Sequence, residues 1–143
     1  MGFANILLVD DEISFVETFF ERLELRDLEV SKAFSGQEAF KALEENKNIE
    51  VVILDVRMPG MDGIETLAEI KKRYPLVEVI MLSGHSTVES AIEGMKQGAF
   101  DYLMKPCDMD QIIAKVTEAA SKKRRHEDKI IQARIKEITS RKP

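Results

Sequence analysis

Short apolar segments alternate with helix-forming segments along most of the chain, and this alternation constrains the fold more than any other feature. Each apolar segment is four to six residues long. Most are rich in β-branched or bulky side chains, as strands buried on both faces are. The five segments are 6–9, 28–33, 51–54, 77–82 and 100–104.

Each intervening segment carries an apolar stripe at helical spacing. The stripes are Ile13, Val16, Phe20 and Leu23; Ala39, Ala42 and Leu43; Ile64, Leu67 and Ile70; Val88, Ile92 and Met95; and Ile112, Val116 and Ala119. Alternating strands and helices with short links require a parallel sheet with helices on both faces, joined by right-handed crossovers. The pattern predicts an α/β fold with five (βα) units in a doubly wound sheet, but it does not determine the strand order.

The pattern breaks after Ala120, which predicts a domain over 1–121 followed by a basic helical tail or linker over 122–143. Residues 121–143 carry nine Lys or Arg against three acids, whereas residues 1–120 carry twelve against twenty-three. We interpret the basic segment as a solvated helix end. The acidic body argues against direct nucleic-acid binding, because that requires phosphates to be neutralised by Lys and Arg.

The remaining composition indicates a cytoplasmic protein without membrane association. There is no long apolar stretch and no basic segment leading into an apolar signal core. The single cysteine, Cys107, cannot form an internal disulfide and is expected to pack as a small apolar residue.

Charged and polar residues stand where the predicted strands end. Asp10 and Asp11 follow the first strand, Asp55 the third, Ser83 the fourth and Lys105 the fifth. The carboxyl ends of parallel strands share one crevice in such sheets. Carboxylates brought together repel each other unless a cation intervenes. Oxygen ligands of this kind predict a Mg²⁺ site.

These residue types suit phosphoryl transfer. An aspartate carboxylate is a competent nucleophile towards phosphorus and would form an acyl phosphate. Catalysis of the transfer depends on positioning and on neutralising the phosphoryl oxygens. Mg²⁺, the Lys105 ammonium and the Ser83 hydroxyl would each cover one oxygen. The simpler interpretations are a helix cap for Asp10 and Asp11, a turn residue for Asp55 and a solvated strand end for Lys105.

Four segments resemble, in order, the receiver domain of bacterial two-component response regulators over residues 3–121. They are Val-Asp-Asp-Glu at 9–12, Asp55 with Met-Pro-Gly-Met-Asp-Gly at 58–63, Ser83-Gly84, and Lys105-Pro106. The resemblance implies a flavodoxin-like sheet of order 2-1-3-4-5. It also implies that Asp55 accepts a phosphoryl group from a sensor histidine kinase or a phosphotransfer protein.

The resemblance further implies roles for individual residues. Mg²⁺ would be held by the side chains of Asp10, Asp11 and Asp55 and by the backbone carbonyl of Arg57. Ser83 and Lys105 would contact the phosphoryl group, and Lys105–Pro106 would be a cis peptide. Arg57 and His85 would tune the rate of phosphate loss. Ser83, drawn towards the phosphate, and Tyr102, filling the vacated space, would switch a surface formed by the fourth helix, fifth strand and fifth helix.

We therefore expect a phosphorylation-dependent signalling switch that catalyses only its own phosphorylation and dephosphorylation. The alternative is a Mg²⁺-dependent aspartyl-phosphate phosphohydrolase, but such enzymes place the nucleophile in an Asp-x-Asp pair on the first strand. Here the first strand ends in Asp10-Asp11-Glu12. Three interpretations of the tail stay open: a partner-docking helix, a linker to an output module, and a homodimer contact through Ile130, Ile131, Ile135 and Ile138.

Overall fold

The computed structural model describes residues 4–56, 62–84 and 87–140. Strands and helices alternate along the chain. They are β1 (Asn5–Val9), α1 (Ile13–Glu24), β2 (Glu29–Ala33), α2 (Gly36–Glu45), β3 (Val51–Leu54), α3 (Gly63–Arg73), β4 (Glu78–Ser83), α4 (Val88–Lys96), β5 (Asp101–Met104) and α5 (Met109–Ser140). The predicted α/β class with a C-terminal helical extension is confirmed. No helix within the described ranges is long and apolar enough to cross a membrane.

The five strands form one parallel sheet of order β2-β1-β3-β4-β5. This order confirms the flavodoxin-like topology that the resemblance implied. Val51–Leu54 is buried along its whole length, because helices cover both faces of the central strands. Alternate residues of β1 contribute to different cores: Ile6 and Leu8 to one, Leu7 and Val9 to the other.

The two cores differ in the helices that build them. Val16 and Leu23 of α1 pack with Ile112 and Val116 of α5 on one face of the sheet. Residues of α2 and α3, including Leu67, pack on the opposite face. Cys107 is half-buried against the first core, as expected. Burial raises the pKa of its thiol, helped by the nearby charge of Asp108.

Two of the predicted apolar stripes, those of α1 and α4, are not fully buried in the core. In α1, Phe19 is buried while Phe20 is half-buried and Ile13 is largely exposed. In α4, the stripe of Val88, Ile92 and Met95 is exposed to solvent at 73%, 50% and 48%. The buried residue of this helix is Gly94. Periodicity identifies an apolar face, but the neighbouring elements determine whether that face meets the core.

Helix α5 continues without a break through residues 121–140. Its basic segment is not simply a solvated helix end, because two of its side chains pair with acids at the amino end of the sheet. Arg124 donates two hydrogen bonds to the Glu50 carboxylate, at 2.7 and 2.8 Å. The Lys122 ammonium lies 3.7 Å from the buried carboxylate of Glu78. The division into 1–121 and 122–143 stays a prediction.

Candidate functional site

The candidate site lies at the carboxyl edge of the sheet, where backbone hydrogen bonds carry the ladder one residue past the strands. The amide of Asp55 donates to the Val9 carbonyl at 3.0 Å, and the amide of Lys105 donates to the Ser83 carbonyl at 3.0 Å. The residue that follows each of these two strands is therefore hydrogen-bonded to the neighbouring strand. Consequently the sheet positions the backbone of Asp55 and of Lys105.

Three carboxylates converge at this edge. Asp10, Asp11 and Asp55 each offer an oxygen, and these oxygens lie within 4.8 Å of one another. Asp10 and Asp55 are buried, at 2% and 5% exposure, whereas Asp11 is exposed. Buried carboxylates at this separation need a compensating cation. An all-oxygen donor set with one solvent-accessible member fits a hard divalent ion that keeps some of its water.

Lys105 supplies a positive charge to the same crevice. Its ammonium lies 2.6 Å from Asp10 Oδ2 and 3.6 Å from Glu12 Oε1, and its side chain is 17% exposed. The other oxygen of Asp10, Oδ1, accepts a hydrogen bond from the Glu12 amide at 3.0 Å. The carboxylate of Asp10 thus has a charged partner on one side and a backbone donor on the other. The Lys105–Pro106 peptide bond is cis.

The start of α3 packs directly against the loop that carries Asp55. A Cβ atom added at Gly63 would lie 2.3 Å from the Asp55 carbonyl oxygen and 2.5 Å from that of Val56. The Gly63 amide donates to the Val56 carbonyl at 2.7 Å. Asp62 caps the helix by accepting from the Ile64 amide at 2.8 Å. Only glycine permits this close approach of helix and loop.

Ser83 and Tyr102 lie on neighbouring strands. Ser83 is fully buried. Tyr102 pairs in register with Met81, two residues before Ser83, so the side chains of Met81 and Ser83 point to the same face. Tyr102 is half-buried against the core on that face. Its hydroxyl lies 3.0 Å from Ser90 Oγ in the first turn of α4, which connects the fifth strand to that helix.

Two predicted site residues, Arg57 and His85, lie outside the described residues. The Arg57 carbonyl ligand and the tuning roles of both residues therefore stay predictions. Three contacts at the site were not predicted from the sequence: those of Glu12 and Phe15 with the Lys105 ammonium, at 3.6 Å and, to the ring centroid, 3.8 Å, and that of Ser90 with the Tyr102 hydroxyl. The position of Glu12 beside the aspartate pair was the available signal for that residue. Phe15 and Ser90 carried no signal separable from ordinary helix patterns.

Comparison with known proteins identifies the family. The sequence model of one protein family, the response regulator receiver domain, matches residues 6–117 of this chain. The DNA-binding transcriptional regulator NtrC of Klebsiella pneumoniae is 40% identical over 114 residues, which cover 80% of this chain and 24% of NtrC. The chain thus spans about a quarter of the length of this curated relative.

Solved structures agree with this assignment. A response regulator receiver domain protein from Clostridium thermocellum has a TM-score of 0.80 and 38% identity, covering 85% of this chain and 97% of that one. A response regulator from Burkholderia pseudomallei, solved with a phosphorylated aspartic acid, calcium ion and citrate, has a TM-score of 0.75 and 28% identity, covering 87% and 72%. The chain belongs to the receiver domain family of two-component response regulators.

Proposed function

We propose that this chain is a phosphorylation-dependent switch that accepts a phosphoryl group on Asp55 from a sensor histidine kinase or a phosphotransfer protein. The observation that carries the proposal is the convergence of the buried Asp55 carboxylate with Asp10 and Asp11, with Lys105 bound to Asp10 across the crevice. The Burkholderia relative, whose aspartic acid is phosphorylated, supports the same chemistry.

In the proposed transfer, a carboxylate oxygen of Asp55 attacks phosphorus and forms an acyl phosphate. The bond from phosphorus to the donor's imidazole nitrogen breaks, and its electron pair leaves with the donor. Lys105 donates from its ammonium, and Ser83 from its hydroxyl, to the phosphoryl oxygens. Loss of phosphate is the attack of water on phosphorus, which returns the Asp55 carboxylate and inorganic phosphate.

Mg²⁺ would be held by Asp10, Asp11 and Asp55, with the Arg57 carbonyl as a further ligand. When bound it supplies charge neutralisation at the phosphoryl oxygens. The three-carboxylate donor set fits such an ion. Because Asp10 and Asp55 are buried at the ends of adjacent strands, the metal ligands and the nucleophile keep their relative positions.

The proposed output is a change on the surface formed by α4, β5 and α5. Phosphate on Asp55 would draw the Ser83 hydroxyl towards it. Tyr102 would fill the space that Ser83 vacates, and its hydroxyl contact with Ser90 would transmit the change to α4. This output surface would meet a downstream protein partner in the cytoplasm or a second copy of the chain. The chain itself would not bind nucleic acid, and it would catalyse only reactions of its own aspartate.

The test is incubation with a small acyl phosphate and Mg²⁺, followed by intact-protein mass spectrometry. We expect the mass of one phosphoryl group to be added, and Asp55→Ala to prevent the addition. Withholding Mg²⁺ should have the same effect. Rapid multiple turnover of a phosphomonoester would instead support the phosphohydrolase alternative and reject the switch.

A further inference from the structure

We propose that Phe15 is a positioning residue that holds the Lys105 ammonium at the crevice, an inference that rests on the proposed phosphorylation of Asp55. The Lys105 Nζ atom lies 3.8 Å from the centroid of the Phe15 ring. An ammonium at this distance over an aromatic face is attracted by the ring quadrupole. Phe15 lies in the first turn of α1, so its ring flanks the same crevice as the aspartate pair.

The Phe15 ring is itself held in place. It stacks on Phe19, one helical turn later, with centroids 5.1 Å apart and ring planes inclined by 18°. Phe19 is 6% exposed and belongs to the core beneath α1 and α5. Core packing therefore restricts the motion of Phe15 through a second aromatic ring.

The need for such a group follows from the task of Lys105. Its ammonium is bound to Asp10 at 2.6 Å, yet it must donate to a phosphoryl oxygen when Asp55 is modified. Once the Lys105 ammonium leaves Asp10, its long flexible side chain can turn towards bulk water instead of towards the phosphoryl group. A neutral aromatic face keeps the ammonium near the crevice without binding it as tightly as a second carboxylate would. Phe15 thus limits where the ammonium can go during the exchange of partners.

The test compares Phe15→Leu with the wild type in phosphorylation by a small acyl phosphate. Leucine keeps an apolar side chain and a helix-forming residue but removes the aromatic face. We expect a rate constant about fivefold lower, the size of a partly desolvated cation–π contact. Phe15→Tyr, which keeps the ring, should restore most of the rate.

Phe20→Leu is the matched control. It removes the same group from the same helix, and Phe20 also has a lysine over its ring, with Lys32 Nζ at 4.5 Å from the centroid. We expect its phosphorylation rate to equal that of the wild type. An equal loss in both variants would mean that α1 was damaged generally and would overturn the positioning role.

Two further measurements separate positioning from packing. In a Lys105→Ala background, Phe15→Leu should not lower the phosphorylation rate further, because the ammonium that the ring contacts is already absent. This double-mutant cycle isolates the coupling of the two side chains. In lysine-labelled protein, the Lys105 Hε resonances should be shifted upfield by the ring, and this shift should vanish in Phe15→Leu but not in Phe15→Tyr.

The outcomes distinguish the inference from the proposed function. If Phe15→Leu lowers the phosphorylation rate about fivefold even in the Lys105→Ala background, the positioning role of Phe15 is wrong. An unshifted Lys105 resonance in the wild type would also overturn it. Failure of the wild type to accept a phosphoryl group would overturn the proposed function, while the resonance would still report on the contact.

Discussion

At the scale of single residues, the crevice depends on how closely backbone and side chains approach each other. Asp10 and Lys105 are separated by 95 residues in sequence but by 2.6 Å between charged atoms. Gly63 brings α3 within contact of the Asp55 carbonyl, where a Cβ atom would lie at 2.3 Å. A small change of side chain at this position should therefore displace the loop that carries the nucleophile.

Gly63→Ala tests this close approach. The added methyl group meets backbone, which cannot move aside as a flexible side chain could, so we expect a loss of about 2–3 kcal/mol in the free energy of unfolding. Urea denaturation measures it. Gly84→Ala is the control, because among the described residues a Cβ atom at Gly84 would approach nothing closer than Lys105 Cβ, at 3.8 Å. Equal stability of the Gly63→Ala and Gly84→Ala variants would contradict the packing argument.

At the scale of elements, α5 is held at both ends of its contact with the body. Its first turns bury Ile112 and Val116, and its basic segment pairs with acids at the amino edge of the sheet. Burial raises the pKa of the Glu50 carboxyl, but the hydrogen bonds and charge of Arg124 outweigh burial and leave the pKa below its ordinary value. The pair therefore stabilises the docked helix when Glu50 is ionised.

Arg124→Gln should loosen the helix beyond this pair, because an exposed helix of about 15 residues is marginal by itself. We expect faster amide hydrogen exchange over 125–140. Arg125→Gln removes the same charge from an exposed residue without an ion pair in the described part of the chain, and should leave exchange unchanged. Similar exchange in both variants would show that the pair does not hold the helix.

The pH dependence of the same contact has a definite sign. Because the pKa of Glu50 is lowered in the folded protein, its stabilisation is present above the unfolded pKa and is lost as the pH falls through the folded pKa. Exchange over 125–140, corrected for intrinsic rates, should therefore increase under acidic conditions in the wild type. It should change less in Arg124→Gln, which has lost the charge that lowers the pKa.

At the scale of the whole molecule, the carboxyl and amino edges of the sheet carry different groups of charged residues. The carboxyl edge holds the aspartate cluster and Lys105, and the amino edge holds the acids that fix α5. Past that contact, α5 exposes Ile131, Ile135 and Ile138 at 48%, 52% and 67%. Their spacing of four and three residues places them on one side of the helix.

We expect this isoleucine stripe to give weak, concentration-dependent self-association of the chain, because it is too short for a strong coiled coil. Sedimentation velocity over a range of concentrations, with and without acyl phosphate, measures it. Ile135→Glu should abolish the association, whereas Gln132→Glu, the same charge change at a neighbouring exposed position, should preserve it. If the wild type is monomeric under all conditions, the predicted self-association is wrong.

The features that depend on the local order of residues along the chain could be predicted from the sequence. The apolar periods predicted every strand and helix of the alternating fold, and the acids, serine and lysine at strand ends predicted which residues would meet at the carboxyl edge. Strand order came only with the family resemblance, because periodicity does not encode which strands become neighbours. Four of the five strands begin or end one residue away from the predicted bounds, because the assigned end of an element depends on its backbone hydrogen bonds and not on the apolar pattern alone.

The pairing of side chains that lie far apart in sequence could not be predicted and is seen only in the folded chain. The contacts of Lys105 with Phe15 and of Arg124 with Glu50 join residues on elements that pack together only in the folded chain. The exposure of the α4 stripe and the burial of Phe19 in place of Phe20 have the same origin. A helical period states that an apolar face exists, whereas the surface against which that face packs is a property of the whole fold.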